Sequence, residues 1–326
     1  MKIASFLAQT EFMDAAQTPL AGDASGRSYR RLRHFDGRSF ILMIAPPETG
    51  ERTKPFYDIA THLRSIGLSA PEIYAWDAPS GLMLIEDLGE DLFSQVCMKT
   101  PEKEPILYEA ALDVLVHIAK MPLPSAVVHY TADMMADYID LLDIHYARAL
   151  GANDLAAFKD LQSHLQSLLE ENARPPVLAL RDYHAENLLW CPDRSGVRAV
   201  GLLDFQDAVL ADPAYDLASL LDDARRQVTP GFAAEMQALY ATKMAVDIDE
   251  TRRACALQGA QRNMRIIGIF CKLAQAGKPN YLSFIPRVWE YLMMNLAHPD
   301  LHDLAACFHQ IIPAPEQGFE EKVLMR

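Results

Sequence analysis

The chain reads as an α+β protein in two lobes, a small antiparallel β lobe followed by a larger, mainly α lobe. Three observations predict this. The first 86 residues carry short alternating apolar runs, broken by Asp-Gly, Pro and Gly turns, around one helical stretch. From Thr100 onward, apolar residues recur at helical spacing over long stretches. The length of 326 residues exceeds a minimal core and suits two lobes around one site.

Residues 1–20 read as a short amphipathic helix stopped by Pro19. The stretch Ala21-Gly22-Asp23-Ala24-Ser25-Gly26-Arg27-Ser28 joins two glycines to small residues, so the backbone can turn sharply and bring N–H groups close to an anion. It lacks the Gly-Lys-Ser/Thr of a Walker loop and a full G-x-G-x-x-G, and an ordinary β-turn would use the same residues. Strands over 29–35 and 39–45 flank Asp36-Gly37 as a hairpin. Phe56, Ile59, Ala60, Leu63 and Ile66 then fall on one helical face within 51–66, and Gly67 supplies the stop. Two more strands, 72–76 and 82–85, flank a turn holding Pro79 and Gly81. Glu86-Asp87-Leu88-Gly89 closes the last of them, and the composition changes.

Helical patterns begin over 102–120. Thr131 can cap a helix whose Met134, Tyr138, Leu141 and His145 form an apolar face; His145 there reads as a satisfied core histidine and the methionines as packing. Another helix covers 155–169. Two short hairpin-like runs follow, carrying Asp182, Asn187 and Asp204. Pro213 suits the first turn of a helix over 213–227, and further helices span 232–244, 250–274, 281–296 and 301–312. The expected domains are 1–86, a hinge at 87–91, and 92–326.

Composition excludes several classes. Half the residues are apolar, 23% are charged, and no apolar run approaches a membrane span, so a soluble protein without a membrane partner is expected. The apolar run at Ile3 to Ala8 is too short for a signal-peptide core, which makes the cytoplasm the expected compartment. Five scattered cysteines, never spaced C-x-x-C, suggest neither a disulfide framework nor zinc. A net charge of −14 argues against a nucleic-acid partner. It is compatible with a cationic substrate, though a solvated acidic surface explains it as well.

The most informative stretch is Leu180-Arg181-Asp182-Tyr183-His184-Ala185-Glu186-Asn187-Leu188-Leu189-Trp190, with Asp204 fourteen residues after Trp190 in Leu203-Asp204-Phe205-Gln206-Asp207. A loop Asp, an Asn and a strand-end Asp can orient a hydroxyl and hold magnesium, which is the equipment of phosphoryl transfer. An Asp and an Asn five apart arise by chance about once in a chain of this size, so the weight comes from order: glycine-rich hairpin, helix, two strands, acidic linker, helices, D-x-x-x-x-N loop, strand, Asp-Phe.

In that order the chain resembles the aminoglycoside phosphotransferase and choline kinase branch of the protein-kinase-like fold, from about residue 21 to 313. The strings GDASGRSYRRL, LRDYHAENLLW, GLLDFQDAVLADPAYDLASLLDDARR and QRNMRIIGIFCKLAQAGKPNYLSFIPRVWEYL look more specifically like those of the bacterial anomeric N-acetylmuramate/N-acetylglucosamine kinases. The resemblance implies ATP and Mg²⁺ as cofactors and phosphorylation of the C1 hydroxyl of an amino sugar in cell-wall recycling. It implies Asp182 as the group that orients or deprotonates the acceptor hydroxyl, with Asn187 and Asp204 on magnesium. Gly22, Asp23, Ala24, Ser25, Gly26, Arg27 and Ser28 would cover the nucleotide phosphates, and the backbone at Glu86, Asp87 and Leu88 would meet adenine. Arg181, His184, Asp207 and Asp216 would support the site, Asp216 by bracing the loop.

The chain departs from the kinase pattern in three places. Met43 stands where the phosphate-binding Lys is normal; Arg27, Arg30 or Arg31 could supply the charge, and the same arginines could equally decorate an exposed strand. Leu180 replaces the His of H-R-D, and Gln206 replaces the Gly of D-F-G. Only seven residues separate Asp204 from Asp212-Pro213, too few for a peptide-docking activation segment, so a small-molecule acceptor is expected. Arg225, Arg226, Gln258, Gln261, Arg262, Arg265 and Lys272 are candidates for its pocket, against the plainer reading of a solvated helix face. An aminoglycoside or another small alcohol is the alternative acceptor, and a nucleotide-binding pseudokinase the alternative without catalysis.

Overall fold

The computed structural model describes residues 2–20 and 26–326. Gly22, Asp23, Ala24 and Ser25, expected over the phosphates, lie outside the described residues. In chain order come α1 (Lys2–Leu7), β1 (Ala16–Pro19), β2 (Ser28–Arg33), β3 (Ser39–Ile44), α2 (Lys54–Ser65), β4 (Ile73–Asp77), β5 (Leu82–Glu86), α3 (Phe93–Lys99) and α4 (Glu104–Ala119). There follow α5 (Ala132–Asp137), α6 (Asp140–Leu142) running into a π turn at Asp143–Ala147, α7 (Leu155–Glu171), β6 (Val177–Ala179), β7 (Leu188–Trp190), β8 (Val200–Leu202) and β9 (Val209–Ala211). The chain ends with α8 (Ala214–Leu221), α9 (Phe232–Met244), α10 (Ile248–Gln275), α11 (Ile285–Leu296), α12 (His302–Ile311) and α13 (Phe319–Leu324). It divides into two compact units, Met1–Val114 with Glu186–Ala208, and Leu115–Ala185 with Val209–Arg326.

The first unit is built on an antiparallel sheet in the order β1-β2-β3-β5-β4. Its middle strands β3 and β5 are apolar on both faces, so Leu42, Met43, Met83 and Leu84 are fully buried. Phe6, Leu7, Phe12, Leu32, Phe40, Leu42, Leu82 and Leu84 form one core cluster, each large side chain contributing about 1.5–3 kcal/mol on burial. β1 corrects the expectation of a helix stopped by Pro19: the helix ends at Leu7, and Ala16 to Pro19 pair with Arg33 to Arg30. All four of these residues are exposed, so no apolar alternation announces the strand, and an edge strand tolerates the donor that Pro19 lacks. Gly81 fixes the turn before β5. Its φ is +67°, and a Cβ there would lie 1.9 Å from the Ala45 carbonyl oxygen, to which no side chain could adapt.

α2 turns Phe56, Ile59, Ala60 and Leu63 inward, where Phe56 stacks on Phe205 at 4.8 Å. The hairpin β7–β8 belongs to the same unit, and is tied to it by the N–H of Leu202 donating to Ser69 O at 3.0 Å and that of Trp190 to Asp91 O at 2.7 Å.

The second unit packs its helices around a core that includes Tyr146, Leu161, Leu165, Tyr215, Met264, Ile267, Leu292 and Phe308. Thr131 caps α5 by accepting the Met134 N–H at 3.3 Å. His145 is hydrogen-bonded through Nδ1 to Gln275 at 2.7 Å. α10, 28 residues long, lies against its neighbours at two glycines. A Cβ on Gly259 would be 2.5 Å from Asn295 Nδ2, and one on Gly268 would be 2.3 Å from the Leu141 carbonyl carbon. The helix expected over 213–227 stops at Leu221. Two aspartates explain the stop, because their carboxylates compete for polar partners outside the helix: Asp222 Oδ2 accepts from Asn295 at 2.9 Å, and Asp223 accepts the Arg225 N–H at 2.8 Å. Among the described residues no helix is long and apolar enough to cross a membrane.

Candidate active site

In the second unit, β6 pairs with β9 and hands the chain to Leu180 and Arg181. Asp216, in the first turn of α8 and 3% exposed, receives both of their backbone N–H groups: Leu180 donates to Oδ2 at 2.6 Å and Arg181 to Oδ1 at 2.9 Å. Ser219 Oγ donates to the Arg181 carbonyl at 3.1 Å, and the Arg181 guanidinium lies 5.5 Å over the Tyr130 ring. These partners hold Arg181 at φ +71°. A left-handed non-glycine residue costs on the order of 1–3 kcal/mol and persists only where its surroundings over-determine it. The strained residue immediately precedes Asp182.

The Asp182 carboxylate is half-buried and close enough to His184, Asp216 and Arg265 to act on their protonation. Burial pushes the Asp216 carboxyl up to about 7, against the two N–H groups and Arg262, which pull it down. Burial holds the His184 imidazole below its ordinary value, and Arg225 donates to its Nε2 at 3.3 Å. That keeps His184 neutral and its ring fixed. Arg265 donates to Tyr215 Oη at 2.9 Å. Of the other residues expected in an acceptor pocket, Gln258, Gln261 and Arg262 are buried in the unit, correcting the plainer reading of a solvated face, while Lys272 does lie on the surface. Gln261 donates to Met135 O at 2.7 Å.

In the first unit, the ladder of β7 and β8 is extended by the Leu203 N–H donating to Asn187 O at 3.0 Å. Asn187, just before β7, and Asp204, two residues past β8, therefore stand at the same end of one hairpin. Asp204 is left-handed too, at φ +54°. Gln206 Nε2 bridges Asp204 Oδ1 at 3.0 Å and Asp207 Oδ2 at 3.2 Å, and Arg27 Nη2 lies 3.8 Å from Asp204 Oδ1. Asn187 and Asp204 offer only hard oxygens, as Mg²⁺ prefers. Among the described residues no three His, Cys, Asp or Glu side chains make a ready metal cage; a Mg²⁺ ion held by a donor pair such as Asn187 and Asp204 would keep water or phosphate oxygens in the rest of its shell.

The side chains at the expected adenine segment are engaged elsewhere. Glu86 pairs with Arg194, and Asp87 binds Arg31 Nε at 2.7 Å and Ser39 Oγ at 2.5 Å. Leu88 packs beside Gly201, where an added Cβ would meet it at 3.1 Å. Glu51 escaped the sequence reading: it accepts the Gly26 N–H at 2.9 Å and pairs with Arg27 Nε at 3.2 Å. No periodicity marks a contact between residues so far apart in the chain.

A model of the "Phosphotransferase enzyme family" matches residues 16–256. The N-acetylmuramate/N-acetylglucosamine kinase of Caulobacter vibrioides is 36% identical, with 95% of this chain and 96% of that protein covered. The protein of the same name from Pseudomonas aeruginosa is 32% identical over 95% of this chain and 91% of its own length. Among solved structures, a choline/ethanolamine kinase family protein from Mesorhizobium loti superposes with a TM-score of 0.64 at 17% identity, covering 95% of this chain and 98% of the other. That likeness establishes a shared fold.

Proposed function

We propose, starting from the fact that this chain belongs to the phosphotransferase enzyme family, that it transfers the γ-phosphoryl group of ATP to the anomeric hydroxyl of an amino sugar, N-acetylmuramate or N-acetylglucosamine. The observation that carries this reading is end-to-end similarity, at 36% and 32% identity, to two proteins bearing that name. A fold-level likeness alone would leave the acceptor open.

In this reading Asp182 accepts the hydroxyl proton as the sugar oxygen bonds to the γ-phosphorus and the bond to the ADP oxygen breaks. Asp216 and Ser219 keep the backbone before Asp182 from relaxing. Asn187 and Asp204 hold Mg²⁺, which when bound neutralises phosphate charge. His184 and Arg181 brace the loop, Asp207 shares Gln206 with Asp204, and residues 87–91 serve as a hinge with adenine against the backbone of Glu86 to Leu88. The test is to incubate the protein with ATP, Mg²⁺ and a panel of N-acetylmuramate, N-acetylglucosamine and an aminoglycoside, and to weigh the products. A sugar 1-phosphate is expected. Phosphorylation of the aminoglycoside alone would overturn the acceptor.

A further inference from the structure

The first turn of α8 carries two neighbouring side chains with different tasks. Asp216 takes the N–H groups of Leu180 and Arg181, and so fixes the backbone before Asp182. Tyr215, fully buried, accepts a hydrogen bond at its hydroxyl from Arg265 Nη1 at 2.9 Å. The Tyr215 ring meets that of Tyr130 edge to face with centroids 5.7 Å apart, and the Arg181 guanidinium lies over Tyr130 at 5.5 Å. One helical turn thus sets the places of Asp182 and Arg265 together, and the Asp182 charge is felt at Arg265.

The cations around this turn are placed unequally. Arg262 is 4% exposed, and its charge is spent on Asp216 and Asp222, whose ionised forms it favours. Arg225 donates to His184 Nε2 at 3.3 Å. Lys272, on the surface, stands about 10 Å beyond Arg265 along α10. Arg265 is half-buried, and its anchor is a neutral phenol, which orients the guanidinium without cancelling its charge. In a chain of net charge −14, an anionic acceptor brought to the Asp182 carboxylate meets repulsion. A fixed cation beside that carboxylate offsets the repulsion, and the planar guanidinium fork matches a carboxylate in geometry.

We propose that Arg265, anchored on Tyr215, is a specificity residue that takes a carboxylate carried by the acceptor close to the hydroxyl that Asp182 deprotonates. The inference rests on the amino-sugar reading above. The two sugars of that reading differ at C3, two carbons round the ring from the anomeric centre. There N-acetylmuramate bears a lactyl ether ending in a carboxylate, and N-acetylglucosamine bears a hydroxyl. Arg265 therefore favours N-acetylmuramate through a charge-assisted pair that the neutral sugar has no group to make.

The test is steady-state kinetics of wild type, Arg265→Met, Arg265→Lys and Tyr215→Phe with three acceptors: N-acetylmuramate, its methyl ester, which loses the charge, and N-acetylglucosamine. In wild type, kcat/KM should be higher for the acid than for the ester. Arg265→Met should lower kcat/KM for N-acetylmuramate relative to N-acetylglucosamine about 10- to 100-fold, the range for losing a charge-assisted hydrogen bond, and should bring acid and ester together. Arg265→Lys should keep part of the preference, and Tyr215→Phe, which removes only the anchor, should lower it by a smaller factor. If Arg265→Met does not fold, seen as lost ATP binding in calorimetry, the Arg265→Lys and Tyr215→Phe pair decides by the same ratio. An unchanged ratio in the folded variants would overturn the proposal, as would equal losses on all three acceptors, which would make Arg265 a support for Asp182 alone. A wild type that phosphorylates N-acetylglucosamine and refuses N-acetylmuramate overturns this inference and keeps the amino-sugar reading; one that phosphorylates neither overturns both.

Discussion

Asp182 and Asp204 are each served by a left-handed non-glycine residue, but the two are supported in opposite ways. Arg181, before Asp182, is locked by a buried carboxylate and a serine hydroxyl. Asp204 carries the strain itself, and its half-exposed carboxylate is met by the Gln206 amide at 3.0 Å and the Arg27 guanidinium at 3.8 Å. The first arrangement is complete within the protein. The second includes a 3.8 Å ion pair, longer than any of the three contacts that hold Arg181. In the proposed reading, a base that must be aimed is held by structure, whereas a metal ligand keeps one contact loose enough to exchange.

The largest effect should come from Asp182→Asn, which keeps the shape and removes the proposed base. Turnover should drop by about 10²–10⁴-fold with ATP affinity nearly unchanged, read by a coupled ADP assay beside calorimetry; normal turnover would remove Asp182 from its role. Asp216→Asn comes next. An amide can accept only one of the two backbone N–H groups and turns an NH₂ toward the other, so stability should fall by about 1–3 kcal/mol, measured by denaturant unfolding, with a clear loss of turnover. If turnover fell without any stability loss, Asp216 would be acting on substrate and the comparison would fail. Gln206→Ala removes the amide between Asp204 and Asp207. Mg²⁺ half-saturation should rise about 10-fold with little change in stability, and a stability loss like that of Asp216→Asn would erase the distinction between the two supports.

The smallest effect is in pH. The folded chain holds a proton on Asp216 up to about pH 7, whereas the unfolded chain releases it near the ordinary 3.8. Between those values the folded state binds more protons, so this group's contribution to stability declines as pH rises through the window and is level above it. Its grip on the loop acts oppositely, since the ionised carboxylate is the stronger acceptor. His184, held low by burial, contributes stability that is lost as pH falls below 6.5. The difference between wild type and Asp216→Asn cancels the His184 part, and unfolding from pH 4 to 8 should show that difference sloping. A flat difference would mean that Asp216 is ionised throughout.

Strong local patterns were legible. Asp36-Gly37 between alternating runs announced the β2–β3 hairpin, and the apolar face of Phe56 to Leu63 announced α2. The site was legible as spacing, because Asp182, Asn187 and Asp204 lie in short loops beside apolar strands. Its long-range supports were not. Asp216 reaches back to Leu180 and Arg181, and Glu51 reaches Gly26 and Arg27, across stretches in which nothing local encodes the pairing. The left-handed backbone at Arg181 runs against residue preference, so no propensity could forecast it. Gln258, Gln261 and Arg262 looked like solvent residues by type, and only their neighbours bury them.

The two glycines of α10 bear on how this chain can be redesigned. Each costs about 1 kcal/mol against alanine in a helix interior, and they sit nine residues apart, close to half a turn out of phase. Asn295 and Asp222 press on one side at Gly259, and the backbone of Leu141 and Leu142 presses on the other at Gly268. Pinched from both flanks, the helix has little freedom to roll or slide. It is therefore a fixed datum for engineering: side chains elsewhere on α10 can be exchanged while its axis stays put, provided the two glycines are left alone.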